Sequence, residues 1–375
     1  MFSRASYAAL VAINIAATWF RFLNVADVYL SVQSAYDSSL PTQVFDQKHC
    51  KALVLNEEHN YHYEILESVL ALYPLPHLSS CNRSQIKFTF AIADGEENTF
   101  WRDRSASWYE YATQRMARNE YDALEGQSRV LEMVIRNSSR PTARGFDYHI
   151  RASCFCQNET DVLWLLESER HFCVFHEYCD IVANISRATW VNPKMPRSFF
   201  PAILPKFDHP RMVDNVTHNL CIVGEGKRRE YELVADYLSN HPLHSGMHFH
   251  HFGIGNVAPT MKPFTNDITL HPIPNFVDYQ FALYMTCDAI LALMTRSGRP
   301  QYFEGPTKLS GSIVQASVYQ KPILVHKDLA QVYRDHLVHV ETYTDDVGSF
   351  SIGFDRLLDR LNVLKAGNAT SLLTG

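Results

Sequence analysis

Along this chain, short runs of consecutive apolar residues alternate with stretches whose apolar positions recur every three or four residues. Lys51–Leu55 is a continuous apolar run behind one lysine and reads as a strand buried on both faces. Ile65, Leu66, Val69, Leu70 and Tyr73 then follow a helical period that Pro74 and Pro76 stop. The same reading predicts strands at Ile86–Ile92, Val130–Ile135, Tyr148–Ser153 and Phe172–Phe175, with helices around Trp108–Arg115 and Asp161–Leu166. The second half repeats the alternation more cleanly. Strands are predicted at Leu220–Val223, Met247–Ile254, Ile268–Ile273, Asp288–Met294 and Ile323–His326. Helices are predicted at Arg229–Leu238, Val277–Met285, Ser312–Tyr319 and Ser351–Leu364. Strands that alternate with helices make parallel sheets covered on both faces.

Between the two halves, Asn192–His209 carries Pro193, Pro196, Pro201 and Pro205, a composition suited to a crossing between domains. The expected fold is therefore α/β, with two facing Rossmann-like domains at residues 48–205 and 206–345 and a C-terminal helix and tail at 346–375. Ligands of such sheets bind beyond the carboxyl ends of the strands.

The N-terminus changes the picture. Ala5–Phe20 is mostly apolar and lies between Arg4 and Arg21, so residues 1–25 read as a signal anchor or a signal peptide, with residues 26–47 a polar stem. Six N-x-[ST] sequons, at Asn82, Asn137, Asn158, Asn184, Asn215 and Asn368, agree with a secretory route through the ER and Golgi, membrane-attached or secreted after cleavage. In an oxidising lumen the cysteines are expected to pair: Cys50 with Cys81, and Cys154, Cys156, Cys173 and Cys179 among themselves. A zinc site is the alternative for the last four. Cys221 and Cys287 sit in apolar runs and read as buried free thiols. A net charge of -6 gives no footing for nucleic-acid binding.

Two turns hold the candidate chemistry. Gly224 and Gly226 follow a strand and open a helix, where bare amides and the cation of Lys227 or Arg228 suit a diphosphate. The loop Thr295–Thr307 includes Tyr302 and Glu304, and leads into Lys308, Ser310, Gly311 and Ser312 at the next helix start. After the first strand, Glu57, Glu58, His59 and His62 occupy a loop where a histidine could take a proton from a hydroxyl. His248 and His250 share one face of a strand without a metal-ligand partner at a telling spacing, and no metal is expected. The G-x-S-x-G, H-E-x-x-H and P-loop patterns are absent, which counts against common hydrolases and NTPases.

The stretch Ser310-Gly-Ser-Ile-Val-Gln-Ala-Ser-Val-Tyr-Gln-Lys-Pro322 resembles the S-L-x-x-L-E-A-x-A-x-G-x-P segment of retaining GT-B glycosyltransferases of the group 1, family 4 type. The paired glutamates of that family, eight positions apart, correspond here to Thr307 and Gln315. The resemblance implies a GT-B fold, a nucleotide-sugar donor as substrate with no cofactor, and a glycan or glycoprotein acceptor. It implies diphosphate contacts from Gly224, Gly226, Arg228, Lys308, Ser310, Gly311 and Ser312, and a ribose contact from Gln315. Tyr302 and Glu304 would meet the donor sugar or base, and His59 or His62 would act as the base. With the glutamate pair lost, the alternative is a non-catalytic glycoprotein that keeps the fold for binding.

Overall fold

The computed structural model describes residues 50–56, 63–72, 85–93, 99–118, 128–136, 146–156, 158–175, 179–190, 205, 207, 218–226, 229–241, 246–253, 268–303 and 310–373. The apolar segment at 1–25, the stem at 26–47 and most of the proline-rich crossing lie outside them. Among the described residues no helix is long and apolar enough to cross a membrane.

Among the described residues, two six-stranded sheets organise the chain. The first contains β1 (Cys50–Asn56), β2 (Gln85–Ala93), β3 (Ser128–Arg136), β4 (Tyr148–Cys154), β5 (His171–Phe175) and β6 (Ala188–Trp190). Its spatial order is β3-β2-β1-β4-β5-β6. The second contains β7 (His218–Val223), β8 (Met247–Phe252), β9 (Ile268–His271), β10 (Ala289–Ala292), β11 (Ile323–His326) and β12 (Val340–Tyr343), in the order β12-β11-β10-β7-β8-β9. Every strand pairing among the described residues is parallel. Both orders are the doubly wound Rossmann arrangement, and the two sheets lie within one compact unit, Lys48–Gly375. This is the expected GT-B-like fold.

The helices are α1 (Tyr63–Leu72), α2 (Thr99–Ala117), α3 (Glu159–Glu167), α4 (Tyr231–Asn240), α5 (Phe276–Thr286), α6 (Gly311–Val318), α7 (Lys327–Tyr333) and α8 (Val347–Leu373). They cover the second sheet on both faces. Tyr231, Val234 and Tyr237 of α4 share one buried cluster with Phe350, Phe354 and Leu357 of α8. Leu283 of α5 and Ile313 and Val314 of α6 share the other with Cys221, Ile290 and Val325. That second cluster also holds Val54, Tyr63 and Trp108 of the first lobe, so one apolar core continues across both lobes.

The lobes meet at helix starts. Tyr63, the first residue of α1, packs on Phe276, the first residue of α5, with ring centroids 5.3 Å apart. The Phe276 amide donates to Ser107 Oγ at 2.8 Å, and Arg104 Nη1 donates to the Ile273 carbonyl at 3.1 Å. The Arg104 guanidinium also lies 3.9 Å from the centre of the Tyr279 ring. In a parallel α/β unit the helix after a strand begins at that strand's carboxyl end. These contacts therefore set the carboxyl edges of the two sheets toward each other.

The cysteines correct one expectation and settle another. Cys154–Cys173 and Cys156–Cys179 are disulfides, which removes the zinc alternative, and among the described residues no group of histidines, cysteines and carboxylates could hold a metal ion. Cys221 and Cys287 are not free thiols; they form a disulfide with Cα atoms 5.6 Å apart. The reason is strand order. β10 lies beside β7, which brings Cys287, two residues before β10, against the middle of β7. The expected Cys50–Cys81 pairing lies outside the described side chains.

Candidate functional site

A doubly wound sheet opens a crevice where successive connections leave for opposite faces. In the second sheet that point lies between β7 and β10. The connection after β7 runs to α4 on one face, and the connection after β10 runs to α6 on the other. Both turns singled out in the sequence flank this crevice.

They are joined directly. Ser312 Oγ, fully buried in the first turn of α6, donates to the Val223 carbonyl at the end of β7 at 3.2 Å. Gly224 follows with φ +109, a conformation that favours glycine. Its amide donates to the Phe252 carbonyl at 2.8 Å, and its carbonyl lies 2.8 Å from His251 Nε2. Gly253 packs so closely that a Cβ there would collide with the Gly224 carbonyl. A Cβ on Gly224 itself would strike the guanidinium of Arg229. Gly226 is buried, and its carbonyl accepts from the Arg229 amide at 3.1 Å.

Arg229 is the residue that sequence reasoning missed. Lys227 or Arg228 was the expected cation of this turn, and both lie outside the described residues, as do Lys308, Glu304, His59 and His62. Arg229 Nε donates to the Val223 carbonyl at 2.7 Å, so this acceptor serves both turns. Arg229 Nη1 is sealed from solvent and has no hydrogen-bond partner. Burial pushes its pKa down. A guanidinium beside the carboxyl edge of a sheet with an N–H left unpaired is costly to hold and has unused capacity for an anion.

The start of α6 has the same character. Ser310 is 2% exposed, its hydroxyl makes no capping bond, and its Oγ has no partner. Native N-cap serines normally satisfy a helix amide. Gly311 faces open space, since a Cβ there would meet nothing within 4 Å. Further along the helix Gln315 is buried, and its Oε1 is an unpartnered acceptor. Tyr302, 8% exposed, lies in the 3-10 turn Pro300–Tyr302 of the loop after β10. Gly224, Gly226, Tyr302, Ser310, Gly311, Ser312 and Gln315 therefore all sit on the two connections that bound one crevice.

A second group stiffens the neighbouring loop. Arg296 Nε donates to Asp328 Oδ2 at 3.0 Å, and the Arg296 amide donates to Asp345 Oδ1 at 2.9 Å. His326, 1% exposed, stands between these carboxylates, 3.6 Å from Asp328 and 3.3 Å from Asp345, the latter not aligned for a hydrogen bond. Burial lowers the His326 pKa against the pull of both acids, so the imidazole is neutral. Glu230, at the start of α4, presses its carboxylate against Gly298 of the same loop, and burial raises its pKa.

No protein-family model matches the chain, and no curated protein matches its sequence. Among solved structures the chain is similar to a glycosyltransferase from Rickettsia africae ESF-5, with a TM-score of 0.45 and 10% identity over 87% of this chain and 94% of that one. It is similar also to CalG4, the calicheamicin glycosyltransferase (TM-score 0.40, 10% identity, 87% and 97% covered). A third is the E. coli heptosyltransferase WaaC with ADP-2-deoxy-2-fluoro heptose (TM-score 0.37, 10% identity, 83% and 99% covered). Likeness at this level adds nothing about chemistry; the fold assignment rests on the two strand orders themselves.

Proposed function

We propose that the protein is a glycosyltransferase of the secretory pathway that moves a sugar from a nucleotide donor to a hydroxyl of a glycan or glycoprotein. The observation that carries this reading is the pair of buried, unpartnered polar atoms, Arg229 Nη1 and Ser310 Oγ, on the two sides of the β7/β10 crevice. Together with the first amides of α6, which have no acceptor within their helix, they suit the oxygens of a diphosphate. Gln315 Oε1 supplies an acceptor for a ribose hydroxyl.

In the reaction the bond between the sugar's anomeric carbon and the diphosphate breaks, and the diphosphate leaves with the electron pair. The acceptor oxygen bonds to that carbon and gives up its proton, for which His59 or His62 is the proposed base. Arg229 and the α6 amides stabilise the charge that develops on the leaving oxygen, the dominant catalytic effect in this scheme. The disulfides support a lumenal setting, as does the solvent-exposed sequon at Asn184. The sequence reading supplies the attachment to the membrane by the N-terminal segment.

A second reading has one observation in its favour. Gln315 stands where the resembling family carries a charged glutamate, and a neutral amide binds ribose without adding charge to the site. On that reading the protein binds a nucleotide without turnover. Incubation with a panel of uridine, guanosine and adenosine diphosphate sugars separates the two. Release of nucleoside diphosphate that Arg229→Met abolishes supports transfer; binding without release supports a binding module. No binding to any member of the panel overturns both.

A further inference from the structure

Three imidazoles line one face of the second sheet at its β9 edge. His248 and His250 alternate along β8, with ring centroids 4.6 Å apart. His271 ends β9, and its ring stacks on Phe252 at 4.2 Å with an interplanar angle of 4°. His250 Nδ1 lies 2.9 Å from His271 Nε2, and His250 Nε2 lies 3.0 Å from Asn219 Oδ1 on β7. The outer nitrogen of this chain fixes the tautomers. Asn219 Oδ1 only accepts, so His250 donates through Nε2 and accepts at Nδ1 from the Nε2–H of His271. This bond adds to the backbone pairing of β9 with β8 and to the 2.7 Å contact of His248 Nε2 with Thr269 Oγ1, and it needs one proton between the two facing nitrogens: one added proton can be carried with the bond kept, and a second sets two N–H groups against each other.

What β9 leads into gives this bond its consequence. Two residues after His271, the Ile273 carbonyl accepts from Arg104 of the first lobe, and three further on the Phe276 amide donates to Ser107. The segment 268–276 is therefore an edge strand at one end and the interlobe contact at the other. We propose that the His250–His271 pair is an acid-released clasp, which holds β9 on the sheet near neutral pH and frees the 268–276 segment, with its grip on the first lobe, when the pair takes up a second proton. This inference is independent of the donor chemistry.

The surrounding charges favour release. His248 faces His250 from the same strand, and His248 and His251 both act on His271 in the same direction, each disfavouring a proton. Asp288, before β10, is the opposing carboxylate, and it is already paired with Lys365 of α8 at 3.3 Å and with the Asn219 amide at 2.7 Å. His218, on the same strand as Asn219, feels both Lys365 and Asp288 and is itself shifted down, chiefly by burial. Burial and the neighbouring imidazoles push His250 down to about 4, and burial leads the downward shift of His271. A histidine depressed in the folded state binds its proton more readily once the segment opens. The closed form therefore has its full advantage above the ordinary histidine pKa of about 6.5 and loses it as the pH falls toward about 4.

Hydrogen exchange with mass spectrometry on the full chain, corrected for the intrinsic pH dependence of exchange, tests this. Protection of 268–276 should fall about tenfold per pH unit across the lower part of that window for each proton gained on opening, while β10 and β11 stay protected. His271→Gln keeps a donor at the same place and removes one titrating ring, so its protection should decline less steeply with acid. His271→Phe keeps the stack on Phe252 and removes the bond, so its segment should exchange faster than wild type already at neutral pH and lose most of its acid response. Protection of the wild-type segment that stays flat from pH 7 to 4.5, or an acid response of His271→Gln equal to that of wild type, overturns the proposal.

Discussion

Arg229→Met separates a site residue from a structural one. Methionine keeps the length and apolar character of the side chain and removes the guanidinium. The change costs the Nε bond to the Val223 carbonyl, about 1.5–3 kcal/mol for a charged donor. It does not orphan that carbonyl, which still accepts from Ser312 Oγ. It also relieves the burial of an unpaired N–H, a penalty of about 1–3 kcal/mol. The two nearly cancel, so the ligand-free variant should keep its stability within about 1 kcal/mol in urea unfolding. Binding behaves differently. A charge-assisted bond to a phosphate oxygen is worth about 1.5–3 kcal/mol, so the Kd for the preferred nucleoside diphosphate should rise roughly 10- to 150-fold by calorimetric titration. A variant destabilised by more than about 3 kcal/mol with an unchanged Kd would refute the reasoning, because the guanidinium would then be a structural clamp.

Other changes extend the test. Ser310→Ala removes a buried hydroxyl that satisfies nothing, so the free protein should be as stable or slightly more stable, and nucleotide affinity should drop about three- to tenfold. The double change Cys221→Ser and Cys287→Ser opens a crosslink between residues 66 apart, which the chain-entropy relation values at about 4 kcal/mol; denaturant unfolding of the oxidised proteins measures it. Arg104→Ala removes the bond to Ile273 and the contact with the Tyr279 ring, an expected loss of about 2–3 kcal/mol, with faster exchange of the α5 amides than of β10.

The parallel sheets were legible because strands buried on both faces read as unbroken apolar runs. Ala289–Ala292 and Ile323–His326 are buried at every position. The elements that escaped lack that signal. β6 is three residues long, and β12 is an edge strand whose burial alternates, with Glu341 tied to Arg360 of α8 at 2.6 Å. α7 starts at once after β11, because His326 both ends the strand and caps the helix by accepting from the Asp328 amide at 3.3 Å. The two turns of the candidate site were legible as turns from glycine and serine at helix starts. The reach of Arg229 back to Val223 was not, since it depends on where the turn closes. Pairing of Cys221 with Cys287 depended on strand order, which no local pattern encodes.

A crystal structure with a bound nucleoside diphosphate tests the central claim most directly. The account predicts phosphate oxygens within hydrogen-bonding distance of Arg229 Nη1, Ser310 Oγ and the Gly311 and Ser312 amides. A nucleotide seated away from the β7/β10 crevice, with Arg229 and Ser310 still unpartnered, would contradict it.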